Sequence, residues 1–251
     1  MQMVLYCLLS WSLQVPLVRQ LTKETAIPVI SFATSKGGAG KTTSAIILAT
    51  ELAEVTDVIL IDADPAKRLT RWSTLARLPA RLQVITSGGE RAIQDEIATA
   101  QNRATFVLID LEGSASRLTS FAIAESDLVV IPSGEEQQDA DAAIETLTEI
   151  EMEGRARRRS IPATILFART SAAVKSKLEK HIHSELAKAG RVMETELHRR
   201  TAFSSLHNAG GGLRQLDPAD VNGIDKALIN AQAYASEIID LLEEARNAQT
   251  P

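Results

Sequence analysis

Residues 35–43 read Ser-Lys-Gly-Gly-Ala-Gly-Lys-Thr-Thr, between a short β-branched run and a stretch of helical period. Three glycines in four positions let the backbone curl until successive N–H groups face one point. A helix starting near Thr42 would aim its N-terminus at the same point. That is a cradle for phosphate. Lys41 places an ammonium against β and γ phosphates, and Thr42 offers a hydroxyl to Mg²⁺. The usual form of this loop opens with glycine where the chain has Ser35. The nucleotide-binding candidates are Lys36, Gly37, Gly38, Ala39, Gly40, Lys41, Thr42 and Thr43.

Two later apolar runs end in carboxylates, at Asp62-Ala63-Asp64-Pro65 and at Asp110. Aspartates at the carboxyl ends of parallel strands sit on the ligand rim. Thr42, Asp62 and Asp110 form the expected metal set, with Asp110 holding Mg²⁺ through water and Asp62 supporting the shell. A purely structural place at the sheet edge is the competing reading for these aspartates.

The elements that position these groups follow from pattern. Strands are expected at 28–33, 58–61, 82–85, 105–109, 128–131 and 163–168, most of them apolar on consecutive residues as strands covered on both faces must be. Helices are expected at 42–54, 90–102, 137–153, 171–189 and 224–248. In the last, Ile224, Leu228, Ala231, Ala235, Ile238, Leu242 and Ala245 recur every three or four residues. Alternating strands and helices predict an α/β fold, a mostly parallel central sheet flanked by helices, of the P-loop NTPase type. Residues 27–251 read as one nucleotide-binding domain.

Hydrophobic residues at 45% and charged residues at 24% exclude wholesale disorder, a collagen-like chain and a coiled-coil rod. One cysteine, Cys7, makes an internal disulfide impossible and a thiolate metal cluster untenable. Four histidines show no zinc spacing; His181 and His183, two apart on a predicted helix, read as solvated surface. Net charge is −5, but residues 155–214 hold 13 basic and 4 acidic residues against 14 and 28 elsewhere. A basic block on an acidic chain is the footprint of a polyanion-binding face. Arg155, Arg157, Arg158 and Arg159, read as a loop cluster, together with Arg199 and Arg200 are the DNA-binding candidates.

Residues 1–26 are an apolar, interrupted extension with no Lys or Arg before Arg19. Ser10, Ser12, Gln14 and Pro16 break it, which argues against a signal peptide or a membrane span. A short packed helix, an interfacial anchor and an upstream stretch from an early start codon all fit it.

Lys36, a second lysine just before the glycines, marks a deviant Walker A box, and the chain resembles the ParA/MinD superfamily over about residues 27–246. Asp62-Ala63-Asp64-Pro65 matches the family's Asp-x-Asp-Pro box and Val107-Leu108-Ile109-Asp110 its Walker B. Ile131-Pro132 fits its strand-end proline. Arg199-Arg200-Thr201-Ala202-Phe203 with the glycines at 210–212 looks like its C-terminal segment. The chain departs from the family at Leu111-Glu112-Gly113-Ser114, where prolines are usual, and at Phe167-Ala168-Arg169-Thr170, where many members carry an adenine-reading asparagine.

The resemblance implies ATP and Mg²⁺ as cofactors and Lys36, Lys41 and Asp64 as catalytic residues. Asp64 would orient the attacking water and Lys36 would reach the ATP of a partner subunit. It also implies a homodimer on ATP binding and a weak ATP hydrolase stimulated by DNA and by a ParB-like or relaxosome partner. Acting in plasmid or chromosome partitioning or in conjugative DNA transfer, such a protein would be cytoplasmic and nucleoid-associated. A MinD-like positioning ATPase on a membrane is the alternative, as is a nucleotide-binding scaffold without turnover. Residues 218–251 carry 6 acidic and 2 basic residues, which an anionic leaflet would repel.

Overall fold

The central strands of the sheet are buried along their whole length, and helices cover both of their faces, whereas the two edge strands are partly polar. The computed structural model describes residues 27–249. The strands are β1 Val29–Phe32, β2 Val58–Asp62, β3 Leu82–Thr86, β4 Phe106–Asp110, β5 Leu128–Ser133, β6 Ala163–Thr170 and β7 Leu197–His198. They pair in the order β3-β2-β4-β1-β5-β6-β7, each pairing parallel. The expected parallel sheet is what the chain forms.

The helices are α1 Lys41–Leu52, α2 Arg68–Ser73, α3 Ile93–Gln101, α4 Arg117–Ala124, α5 Gln137–Arg157, α6 Lys177–Ala189, α7 Thr201–Ala209 and α8 Ile224–Gln249. Because strand side chains alternate, neighbouring residues enter different cores. Ile30, Phe32, Leu60, Leu108 and Leu166 pack with Leu48 of α1, Trp72 of α2, Phe203 of α7 and Ile238 of α8. Val29, Ile59, Ile109, Val129 and Ile165 pack with Ile97 of α3, Ile123 of α4, Ile150 of α5 and Ile182 of α6. Truncating one of these fully buried aliphatics to alanine costs about 2–5 kcal/mol.

The two largest departures from the expected boundaries are both at helix ends. Helix α6 begins at Lys177 because Ser176 caps it, accepting from the Glu179 N–H while the Glu179 carboxylate accepts from the Ser176 N–H. That capping box closes the helix start, so residues 171–176 stay in a loop. Helix α5 runs on to Arg157, with Arg158 at its end in the left-handed region (φ 55°). The expected arginine loop is therefore the last turn of a helix for Arg155 and Arg157. Basic side chains there oppose the negative end of the helix dipole.

Candidate active site

Strand β1 is central, so the loop that leaves its carboxyl end lies between the ends of β4 and β5, with β2 beyond β4. The chain turns into α1 at Gly40, whose φ of 108° few side-chain-bearing residues adopt and whose added Cβ would stand 3.2 Å from the Ala168 Cβ. Lys41 is buried, and its Nζ donates back to the carbonyls of Lys36 (3.1 Å) and Thr34 (3.4 Å). Burial pushes its pKa down, opposed by the carboxylates of Asp110 and Asp64.

Asp62 and Asp110 are register partners across β2 and β4. The Thr42 hydroxyl donates to Asp110 Oδ2 at 2.8 Å. Asp62 Oδ2 accepts from both the N–H and the hydroxyl of Thr70, each at 2.7 Å. The second oxygen of each aspartate is buried with no hydrogen-bond partner. Burial first, and Asp62 beside it, push the Asp110 carboxyl up to about 7 against the Thr42 bond and Lys41. Two orphaned carboxylate oxygens next to a threonine hydroxyl are the hard-oxygen donors that Mg²⁺ takes, so these residues fit the ion.

Asp64 stands at the same rim with both oxygens engaged. Oδ1 accepts from the Ala66 N–H (2.8 Å) and Oδ2 from Arg68 (3.0 Å). Lys36 does not point into the cradle; its ammonium pairs with Asp139 in the first turn of α5 at 2.7 Å. Ser35, in the place usually held by glycine, is stitched to the same helix. Its N–H donates to Thr146 Oγ1 (3.1 Å) and its hydroxyl to Glu145 (2.8 Å). Gly113 of the loop after β4 lies against the phosphate loop, since a Cβ there would stand 3.1 Å from the Gly37 nitrogen.

A sequence model of the VirC1 protein family matches residues 27–216. The chain belongs to the VirC1 family. It is 36% identical over 221 residues to a ParA protein of Rhizobium radiobacter, covering 87% of this chain and 99% of that one. Its fold is shared with a plasmid partition protein of Borrelia burgdorferi B31 solved with AMPPNP, at TM-score 0.65 and 19% identity over 85% of this chain and 98% of that one. It is shared also with the cell division ATPase MinD of Pyrococcus furiosus, at TM-score 0.64 and 15% identity over 86% and 99%. These relatives place the VirC1-family chain in the ParA/MinD superfamily of P-loop NTPases.

Two residues that sequence reasoning did not choose stand at the site of this VirC1-family chain. Arg169, in the left-handed region at φ 62°, donates its guanidinium to the Gly38 carbonyl. The Thr43 hydroxyl meets His207 Nε2 at 2.7 Å. Between them a cavity of about 160 Å³ is lined by Gly40, Thr43, Ala168, Leu197, Phe203 and His207. Only the position of Arg169 at a strand end could have signalled it.

The arginines named for DNA fall into two groups at opposite ends of the sheet. Arg199 and Arg200 line the cavity beside the phosphate loop. Arg155, Arg157 and Arg158 lie at the far end of α5, about 30 Å along the helix from its start at 1.5 Å per residue. Arg159 is tied inward, donating to the carbonyls of Ser126 (2.9 Å) and Ala124 (2.5 Å). Arg155 pairs with Glu151 at 2.6 Å. The six arginines named for DNA thus do not form one face. His183, expected on the surface, is instead packed face to face on Phe167, ring centroids 3.5 Å apart.

Residues 1–26 lie outside the described residues, as does any reading of them as an anchor. Among the described residues no helix is long and apolar enough to cross a membrane.

Proposed function

We propose that the chain is an ATP- and Mg²⁺-dependent ATPase that pairs with a second copy when nucleotide is bound, binds DNA without sequence preference, and serves DNA partitioning or conjugative transfer. The convergence of Lys41, Thr42, Asp62 and Asp110, two of whose carboxylate oxygens are buried without partners, carries this reading. The 36% identity to a ParA protein and the fold shared with a plasmid partition protein support partitioning.

In this reading the N–H groups of residues 37–42 bind the phosphates, and Lys41 exchanges two loop carbonyls for phosphate oxygens. Thr42 and Asp110, with Asp62 behind, would hold Mg²⁺, which would supply charge neutralisation to the bound phosphates. Asp64 orients water once it lets go of Arg68. Lys36 leaves Asp139 to neutralise phosphate charge across the pair of subunits. The cavity beside Thr43 takes the base. Arg157 and Arg158 face DNA phosphates, with Lys188 at the neighbouring end of α6. A ParB-like or relaxosome protein stimulates the slow turnover, in the cytoplasm and on the nucleoid.

ATP turnover by the purified chain, measured with and without non-specific duplex DNA, tests the reading. Turnover that requires Mg²⁺ and rises with DNA is expected. Failure of the wild-type chain to bind ATP would end it.

A further inference from the structure

Glu135 in the turn from β5 to α5, Lys175 in loop 171–176, His183 on α6 and Glu196 just before β7 form one half-buried cluster with side chains 11–25% exposed. Phe167 stacks under His183 and lies 5.4 Å beneath the Lys175 ammonium. An acceptor set of two carboxylates and an imidazole could suit a divalent ion, but the ammonium already stands at its centre. It lies 3.3 Å from Glu135, 2.6 Å from His183 Nε2 and hydrogen-bonded to Glu196.

His183 Nε2 has two neighbours with opposite needs. The Lys175 ammonium at 2.6 Å needs a lone pair; the Glu135 carboxylate at 3.1 Å needs an N–H. One nitrogen cannot serve both. With His183 neutral and its proton on Nδ1, Nε2 accepts from Lys175, and Lys175 bridges Glu135, His183 and Glu196. With His183 protonated, Nε2–H donates to Glu135 and two cations face each other across 2.6 Å. Lys175 must then withdraw toward Glu196. The other charged group facing the pair is Glu179 of α6, which feels both Lys175 and His183. Across β6, His198 Nδ1 meets the Thr170 hydroxyl at 2.8 Å. The four clustered groups carry −1 with His183 neutral and zero with it charged, so a proton is accommodated without leaving a net positive charge.

We infer that His183 is a proton-operated catch. Its neutral form lets Lys175 fasten loop 171–176 to the β5–α5 turn, and its protonated form releases that loop. The loop borders a polar cleft of about 420 Å³ shared with Asp139 and Arg169, so the catch sits next to the phosphate loop. It stands whether or not the nucleotide reading does, because it is read from the free protein.

NMR titration of the free protein from pH 5 to 8 tests it. The His183 ring and the backbone amides of Ser171, Lys175 and Glu135 are expected to shift together with one midpoint. His183→Gln, which both donates and accepts without charging, should flatten the amide shifts. Lys175→Met should leave the ring titrating while the loop amides stay at the released position at every pH. A His183 ring that titrates in the wild type while the amides of 171–176 stay flat would overturn the catch. So would amide shifts that persist in His183→Gln.

Discussion

The Lys36 ammonium is held 2.7 Å from Asp139, within its own chain and away from the phosphate cradle. The lysine that the resemblance sends across to a partner is thus parked on α5 in the free protein. On the proposed reading, pairing of subunits would have to break this ion pair, and its strength would be subtracted from the pairing free energy.

Asp139→Asn should therefore favour the paired state. A partly exposed ion pair contributes up to about 1 kcal/mol, so the ATP concentration at half-pairing is expected to fall by up to about fivefold. Lys36→Ala should bind nucleotide but stay monomeric. Sedimentation velocity with saturating ATP reads both, and a monomeric Asp139→Asn protein beside a dimeric wild type would refute the parking role.

Lys41→Ala removes the buried ammonium of the loop and should abolish binding of a fluorescent ATP analogue while the far-ultraviolet circular dichroism stays that of the wild type. Retained binding within about threefold of wild type would show that the cradle works without it.

Asp110→Asn removes a carboxylate that burial pushes up to about 7. The metal-free variant should melt higher than wild type at pH 8, where the wild type must bury that charge, and should lose Mg²⁺-dependent turnover. Calorimetry and a phosphate-release assay separate the two effects.

Glu51 is fully buried and paired with Arg214, whose two nitrogens lie 2.5 and 3.0 Å from its oxygens. Burial pushes the Glu51 carboxyl above its ordinary value despite those bonds. A folded pKa above the unfolded one stabilises fully below the unfolded value and is lost as pH rises through the folded one. Arg214→Met should thus cost about 3–5 kcal/mol at pH 8 and less at pH 5. Adding Glu51→Gln should recover much of the loss. Urea unfolding at the two pH values measures this.

Arg157→Ala with Arg158→Ala should weaken binding to random duplex and flatten its salt dependence by about 0.9 in log–log slope for each phosphate no longer neutralised. Arg199→Ala should change nucleotide affinity instead. Equal effects of both changes on DNA would refute the division of the named arginines into two groups.

The sheet was legible from its strands because residues such as Val58, Ile59, Leu60 and Ile61 are apolar in sequence, and only burial on two faces asks for that. The phosphate loop and the strand-end aspartates were legible because their spacing is local. Helices α2 and α4 were not, since six and eight residues give too little periodicity, and α4 is declared mainly by Ser116, which accepts from the Thr119 N–H at its start; α7 was missed although it is no shorter than α3. Strand β7, with two residues, leaves no pattern at all. Arg169 and Asp139 escaped for another reason. Each acts on a residue more than a hundred positions away, and one sequence does not reveal which distant side chains meet.

Helix α5 is gripped at Asp139 in its first turn and at Glu145 and Thr146 near its middle, and carries arginines at its far end. The arm beyond Thr146 is about 17 Å long. A tilt of about five degrees there would sweep the tip by roughly 1.5 Å, enough to stretch a guanidinium–phosphate hydrogen bond. On the proposed reading, a mutation that reseats Ser35 or Lys36 would therefore be felt at the arginine end of the helix, and turnover and DNA grip would change together.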